Sequence, residues 1–292
     1  MGIEDIRKEF QEWIYAEERA GRSADMNRLN DRLQVMMQRH NSEPRSDFNG
    51  LSPEQMHLLL DNPFGPNCPV RLNNLTAREY MQIPFVKQVL FLMQTLNEKE
   101  LKLTKNGWLP LKVVAEAYRL GRPDIFLEEY GQKRFNEYDA KAVEFARALL
   151  EVHGWTKIRK GMLSLTAKGK KAIANIDEAV NEILYFSLAG NILHTVDGHE
   201  NQQIGNVGTA YSVWLLNKFG SEWRDGYFYQ EQYQKVVNIP ERYNVYAVRV
   251  FERLFYWLGI VDVREVNKYT PNFRKEFKKT DLLPMIFSFN DK

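Results

Sequence analysis

Apolar residues recur every three or four positions along most of this chain, which is the spacing of amphipathic helices. At the N-terminus the spacing predicts two helices, one around Ile6 and Trp13 and one around Leu29 and Met36. A polar, Pro-containing stretch follows and predicts a linker that ends at residue 49. We therefore expect an N-terminal helical arm and linker over residues 1–49. The arm either packs on the rest of the chain or joins two copies in a homodimer.

A seven-residue pattern, Leu-x-Leu-Thr-x-x-Gly, occurs at residues 101–107 and again at 163–169. In each copy two Leu residues flank one polar residue, so both lie on the same face of a strand, and Thr-x-x-Gly favours a turn into a helix. We interpret each copy as the return strand of a β-hairpin that lies against helices. The second is the clearer, because Trp155–Arg159 and Met162–Thr166 flank the turn at Lys160 and Gly161.

The last third of the chain repeats the order of helices followed by a hairpin. An apolar helical stretch at 180–193 is followed by a glycine-rich stretch at 198–208 with little that packs, and we place a domain boundary in or near this region. Residues 211–257 carry aromatic side chains at helical spacing, typical of a core, and 260–266 and 273–280 are predicted strands. We expect three regions: the arm at 1–49, a helical region with two hairpin elements at 50–178, and an aromatic-rich domain at 179–292.

Composition narrows the classes of protein that fit. Of 292 residues 44% are apolar, which is enough to fill more than one core. Forty cations against thirty-eight acids give a net charge of +2, so any electrostatic contact must be local. The single cysteine, Cys68, excludes an internal disulfide and favours a reducing, cytoplasmic location. No stretch of about 18 apolar residues occurs, and we expect no membrane segment.

The second hairpin and the residues after it are locally basic, with no acid in this stretch. The cations are Lys157, Arg159, Lys160, Lys168, Lys170 and Lys171. Cations on a hairpin reach the phosphates beside a groove and release counterions, whereas lysines on an edge hairpin also prevent pairing with other strands. Both interpretations stay open. The first copy offers only Lys102 and Lys105, and we expect it to be structural rather than a contact surface.

A further candidate contact lies in the last region. Base reading requires polar side chains on a helix that enters the major groove, and the helix at 244–258 is more basic than the one at 138–152. Its hairpin is also basic. The candidate residues are Arg249, Arg253, Lys268, Arg274 and Lys275.

Three residues, His194, His199 and Glu200, form the one grouping that suggests metal binding or acid–base chemistry. Their spacing matches no established helical zinc pattern, so we expect neither a metal nor another cofactor. The chain also lacks the phosphate loop and the Gly-x-Ser-x-Gly nucleophile elbow. These observations do not favour an enzyme.

The Leu-x-Leu-Thr-x-x-Gly element after a hairpin resembles the wing of bacterial winged-helix proteins. Residues 51–60 with Asn62-Pro63-Phe64 are similar to a segment of uncharacterised bacterial proteins that carry such elements. The resemblance extends loosely over 50–290 and implies a mainly α, α+β fold with tandem winged-helix (winged helix-turn-helix) units. Families of this fold include DNA-binding transcription regulators, and many relatives bind proteins instead.

The leading hypothesis is a nucleic-acid-binding protein, with DNA the favoured ligand, that acts as a regulator or an accessory factor. One alternative is a protein–protein interaction module that uses the aromatic C-terminal region. Another is an enzyme whose site assembles from dispersed residues.

Overall fold

The computed structural model describes residues 3–22, 25–124, 127, 131, 134–190, 192–199, 201–238, 245–270 and 273–290. Helices with short antiparallel strands give a mainly helical α+β fold. Within these ranges no helix is both long and apolar enough to cross a membrane.

The N-terminal part begins with the two predicted arm helices. Its elements are α1 (Ile3–Arg19), α2 (Met26–Ser42), α3 (Pro53–Asp61), β1 (Val70–Leu72) and α4 (Ala77–Tyr80). Helix α3 starts with a capping box, in which the Ser52 side chain accepts from the Gln55 N–H and the Gln55 side chain accepts from the Ser52 N–H.

The first unit of helices and hairpin follows directly. It consists of α5 (Pro84–Glu98), β2 (Leu101–Lys102), α6 (Leu111–Leu120), α7 (Lys141–Val152), β3 (Thr156–Arg159) and β4 (Met162–Leu165). The sheet order is β2-β4-β3, and Leu163 of β4 lies opposite Leu101 on one side and Ile158 on the other. The two copies of the heptapeptide are therefore neighbours in one sheet. The interpretation of the first copy as a hairpin of its own is wrong.

Identical letters in the two copies serve different local needs. Gly107 closes a turn with φ of +79°, a left-handed conformation that glycine adopts without strain. Gly169 is instead helical, and a Cβ there would come within 2.2 Å of the Trp155 carbonyl oxygen. In this second copy the Thr166 side chain also accepts from the Gly169 N–H at 3.1 Å and caps the next helix.

The second unit repeats the order of the first. The connecting elements are α8 (Ala167–Ala174), α9 (Ile176–Ala189) and a 3₁₀ turn (Leu193–Val196). The unit consists of α10 (Thr209–Phe219), β5 (Arg224–Asp225), α11 (Gly226–Gln234), α12, β6 (Val261–Val266) and β7 (Arg274–Lys279). Helix α12 runs through Val245–Ala247, a π-helical stretch Val248–Phe255 and Tyr256–Leu258. The sheet order of the second unit is β5-β7-β6.

The same hydrogen bonds close both units. The Thr166 hydroxyl donates to the Gly154 carbonyl at 2.7 Å, and its N–H donates to the next carbonyl at 2.9 Å. Thr280 does the same with Gly259 and the carbonyl after it, at 2.7 and 3.0 Å. Both glycines have positive φ and end the preceding helix. These matching bonds align the two hairpins residue by residue.

One continuous buried cluster extends from Leu51 to Phe287 and includes both units. The chain ends with α13 (Leu282–Ile286) and β8 (Phe287–Phe289), and β8 pairs antiparallel with β1. This pairing has no signal in the local sequence pattern. The glycine-rich stretch at 198–208, expected to pack little, is anchored by the buried side chains of Ile204 and Asn206.

The aromatic side chains of the last third build the core, as their helical spacing predicts. The buried ones include Tyr211, Trp214, Tyr229, Tyr233, Tyr246, Phe251, Phe255 and Trp257. Of the consecutive run at 227–229, Tyr227 is exposed and Tyr229 is fully buried. Few aromatic side chains of this region are therefore exposed to stack on bases or to line a peptide groove.

Candidate nucleic-acid interface

A row of cations crosses the sheet of the first unit. Met162 on the central strand lies opposite Lys102 on β2 and opposite Arg159 on β3. Residues opposite each other in antiparallel strands project to the same face, and so does Lys157, two positions before Arg159. Lys102, Lys157 and Arg159 are exposed, and we call these three residues the basic sheet face.

Two more lysines border this face at the hairpin tip. Lys160 and Gly161 have φ of +50° and +74°, the combination of a tight type I′ turn. The Leu103 N–H donates to the Gly161 carbonyl at 2.9 Å, so the turn at 104–107 lies beside the tip. Exposed Lys105 in that turn thereby joins Lys160. The first copy of the heptapeptide contributes to the same surface as the second, although it was expected to be only structural.

The predicted cations on α8, Lys168, Lys170 and Lys171, are also exposed. Lys168 donates to the His153 carbonyl at 3.0 Å. Lys168 and Lys171 line a cavity of about 150 Å³ together with Glu178 and Glu182 of α9. Because acids border them, these lysines contribute less to a positive surface than the sheet face does.

None of the predicted cations at 157–171 forms an ion pair with a carboxylate of the described residues. Buried aromatic side chains pack beneath the start of the β3–β4 hairpin. Trp155 is buried and stacks on His153 at 4.7 Å, and His153 contacts Phe186 at 4.7 Å. Burial lowers the pKa of His153, with Lys168 adding to this effect and Glu182 opposing it. The ring therefore packs as a neutral aromatic group near pH 7.

The third helix of the first unit, α7, has no unpaired cation to offer to bases. Six of its twelve residues are buried. Arg147 donates to Glu137 at 2.9 Å, to Glu151 at 2.7 Å and to the Gly107 carbonyl at 2.8 Å. Burial raises the pKa of Glu137, although the charge of Arg147 opposes this. Arg147 thus ties the helix to the turn of the first copy.

Arg249 on α12 points into the protein. Its side chain is fully buried, and two of its nitrogens donate to Asp197 at 2.6 and 2.8 Å. A third donates to the carbonyls of Asn201 and Ile204 at 2.7 and 2.8 Å. Arg253 lies 3.3 Å from the same carboxylate. In this conformation Arg249 is enclosed within the fold, which disfavours its predicted role as a reading residue, and the Arg253 side chain is 15% exposed beside the same carboxylate.

The cations of the β6–β7 hairpin pair with carboxylates of the same chain. Arg264 lies 2.6 Å from Glu276. The other predicted residues form these ion pairs: Arg274 with Glu276 at 3.1 Å, Lys275 with Glu252 at 2.7 Å, and Lys268 with Glu265 at 2.7 Å. Each of these cations therefore has a carboxylate partner within the fold, with Glu276 shared by Arg264 and Arg274.

Acids occupy two of the three positions of the second sheet that correspond to the basic sheet face, and Arg264 occupies the third. Glu276 on the central strand lies opposite Asp225 and opposite Arg264, where the first unit has Met162 between Lys102 and Arg159. Lys157 corresponds in the same way to Asp262, which pairs with Arg122. The outward faces of the two sheets thus differ in charge at equivalent positions.

The two histidines of this grouping form hydrogen bonds within the loop that carries them. His194 Nδ1 lies 3.2 Å from the Asn206 amide nitrogen, and His199 Nδ1 accepts from the Asn201 N–H at 3.2 Å. Glu200 lies outside the described residues. The described part of the chain has no group of three or more His, Cys, Asp or Glu residues placed to hold a metal ion.

The residues that the fold brings together are Lys102, Lys105, Lys157, Arg159 and Lys160. The sequence did not predict that Lys102 and Lys105 lie beside the second copy, because strand pairing across about sixty positions places them there, and no local pattern reports such pairing. The one available signal was the repeat itself, since two strands with the same apolar face suit one sheet. Comparisons of the chain with family models, curated proteins and solved structures found no match.

Proposed function

We propose that the chain carries two winged-helix units and that the first binds the phosphate backbone of nucleic acid. The order helix, strand, two helices and hairpin supports the fold, as does the position of the last strand between the other two. The contact surface is the basic sheet face with the hairpin tip. Duplex DNA is the favoured ligand.

The observation that carries this proposal is the convergence of five exposed cations from two sequence segments. Protection of an edge strand accounts for Lys157 and Arg159, which lie on edge strand β3. It does not account for Lys105, which lies in a turn beside the tip. None of the five cations forms an ion pair with a carboxylate of the described residues, which suits a polyanion because each neutralised phosphate releases counterions.

The mode of binding follows from the buried third helices. Base readout needs free Arg, Lys, Asn or Gln side chains on a helix in the major groove. Helices α7 and α12 are largely buried, and Arg147 and Arg249 are engaged internally. We therefore favour backbone contact with little sequence selectivity, as in an accessory factor, over a sequence-specific regulator. A cytoplasmic location, which the single cysteine favours, suits this role.

The test is a binding titration of mixed-sequence duplex and single-stranded DNA at salt concentrations from about 50 to 300 mM. With four or five phosphate contacts, the logarithm of the association constant should fall with log salt at a slope of about −4. The variant Lys157→Glu/Arg159→Glu/Lys160→Glu should abolish binding. The matched control Lys268→Glu/Arg274→Glu/Lys278→Glu makes the same charge change on the β6–β7 hairpin and should weaken binding far less.

Two outcomes overturn the proposal: no affinity at about 50 mM salt, or equal loss in the two triple variants. Two unrelated duplexes should bind within about threefold of each other. A preference of about 10³ or more is typical of specific recognition and would restore a sequence-reading role.

A further inference from the structure

The N-terminal arm buries little of its own apolar surface. Helices α1 and α2 are joined by ion pairs such as Glu17 with Arg28 at 2.7 Å. In the described part of the two helices, Ile6 and Met36 are the buried apolar side chains. Among the described elements, only α2 packs extensively against α1. The arm therefore presents a surface that a partner can cover.

One strip of α2 is open to solvent and carries no charge. It consists of Met26, Asn30, Leu33, Gln34, Met37, Gln38 and Asn41. At 100° per residue these positions form one continuous face of the helix. Arg28, Arg32 and Arg39 lie on the other side of the helix, and Asp31 borders the strip, about 20° from Gln38. Met26 is 71% exposed and Met37 is 49% exposed, so the strip also holds accessible apolar surface.

The strip forms one wall of a groove of about 800 Å³ between α2 and α3. The opposite wall consists of Pro53, Glu54 and His57. Because α2 has 17 residues, the groove runs beside a helix about 25 Å long. Its shape suits a second helix that packs along the strip.

The absence of charge on the strip favours a second copy of this chain as the occupant. A two-fold contact places the same surface on both sides, so a charged strip would face its like. An uncharged strip avoids this repulsion, and its amide groups both donate and accept hydrogen bonds across the axis. A nucleic acid would find no cation on the strip, and a basic peptide would find one carboxylate among the residues that line the groove, that of Glu54. We propose that α2 of a second copy packs antiparallel on this strip and forms a two-fold dimer.

The area of this contact predicts a moderate affinity. Two helices of this length bury on the order of 400 Å² per copy, below the ~800 Å² per partner of a standard interface. We therefore expect dissociation in the micromolar range. The dimer would carry two basic sheet faces, and simultaneous engagement of both would strengthen binding to a long nucleic acid.

Sedimentation equilibrium of the full chain without nucleic acid tests this inference. Between about 1 and 100 μM the average mass should rise from 34.4 kDa toward twice that value. Met37→Glu should weaken association at least tenfold, because it buries an unpaired charge at the contact. The matched control is Val35→Glu, since Val35 is 57% exposed on the same helix but faces away from the strip.

Crosslinking gives a second measurement, which reports which face of the helix lies at the contact. With a short bismaleimide, Gln34→Cys near the two-fold axis should crosslink and Val35→Cys should not. The native Cys68 is buried, and burial raises the pKa of its thiol, so it contributes no background. A monomer at all concentrations, equal weakening by Val35→Glu, or equal crosslinking at 34 and 35 would overturn the inference.

Discussion

The two units have the same order of elements and the same hairpin hydrogen bonds, but they differ in the charges on their sheets and in the partners of their cations. Thr166 and Thr280 close their hairpins with the same pair of hydrogen bonds, after helices that end at glycines of positive φ. On the outward sheet faces, however, Lys102 corresponds to Asp225 and Met162 to Glu276. The comparison teaches that caps, turns and strand register maintain the fold, while outward side chains are free to diverge.

Pairing separates a cation that stabilises the fold from one that is available to a ligand. In the second unit, Arg249 and Arg264 each meet a carboxylate of the same chain. In the first unit Arg159 and Lys160 meet none among the described residues. Counting charge along the sequence cannot make this distinction, because the partners Asp197 and Glu276 come from other elements.

The largest expected effect that tests this contrast is on stability, from Arg249→Ala. The substitution leaves the partly buried Asp197 carboxylate with Arg253 as its remaining ion-pair partner among the described residues, and it removes the donors from the carbonyls of Asn201 and Ile204. Breaking a buried pair in this way costs about 3–5 kcal/mol. Urea unfolding measures the loss. Lys160→Ala, an exposed cation in the first unit, should change the free energy of unfolding by less than about 0.5 kcal/mol.

If Arg249→Ala and Lys160→Ala had similar small effects, the contrast between internal and available cations would fail. Asp197→Asn provides a check on the mechanism. It keeps the shape but leaves the fully buried Arg249 guanidinium without its charge partner, so it should also destabilise the fold by about 3–5 kcal/mol.

The pH dependence of stability should separate the buried carboxylates of the two units. Burial of Asp197 opposes its ionisation, but hydrogen bonds from Arg249 and the His199 N–H, with the charge of Arg253, outweigh it and lower the pKa. Asp197 therefore stabilises the fold above its unfolded pKa of about 4, and this contribution disappears as the pH falls through the lower folded pKa. Burial raises the pKa of Glu137, so acidification stabilises the fold there.

Urea unfolding between about pH 7 and pH 3 measures both carboxylates. The advantage of wild type over Asp197→Asn should narrow as the pH falls below about 4. Relative to Glu137→Gln, wild type should gain stability as the pH falls toward the unfolded value of about 4.3. Parallel curves for the two variants would show that the carboxylates do not differ as their surroundings indicate.

The elements of the fold were more predictable than their pairing. Hairpins β3–β4 and β6–β7 were readable from alternation around turn residues, and the α3 cap from Ser52 and Gln55. The sheet neighbours of the first heptapeptide were not, because register between distant segments depends on how helices pack between them. The burial of Arg249 was equally hidden, since an arginine on a helix carries no local sign of its partner.

An exchange of one residue between equivalent sheet positions tests the proposed interface with a smaller effect. Met162→Glu places a carboxylate between Lys102 and Arg159, as Glu276 lies between Asp225 and Arg264. The new acid should pair with these cations and weaken DNA binding about tenfold, with a salt slope reduced by about 1–2. Half-buried Met162 tolerates a polar side chain, and Met162→Gln is the uncharged control. Equal binding by the two variants would contradict the assignment of this face.

The reciprocal change, Glu276→Met, is expected to have the smallest effect and is the most direct test of the role of pairing. It releases Arg264 and Arg274 from their shared carboxylate, but Asp225 and Asp262 remain on the same side of the sheet. The second unit should therefore gain only about twofold in DNA affinity, since one additional phosphate contact adds a slope of about −0.9. If the gain in affinity persists when the charges of Lys157, Arg159 and Lys160 are reversed, the added phosphate contact lies on the β6–β7 hairpin. No gain at about 50 mM salt would mean that sheet position and neighbouring acids, rather than the Glu276 pairs, keep this hairpin from binding.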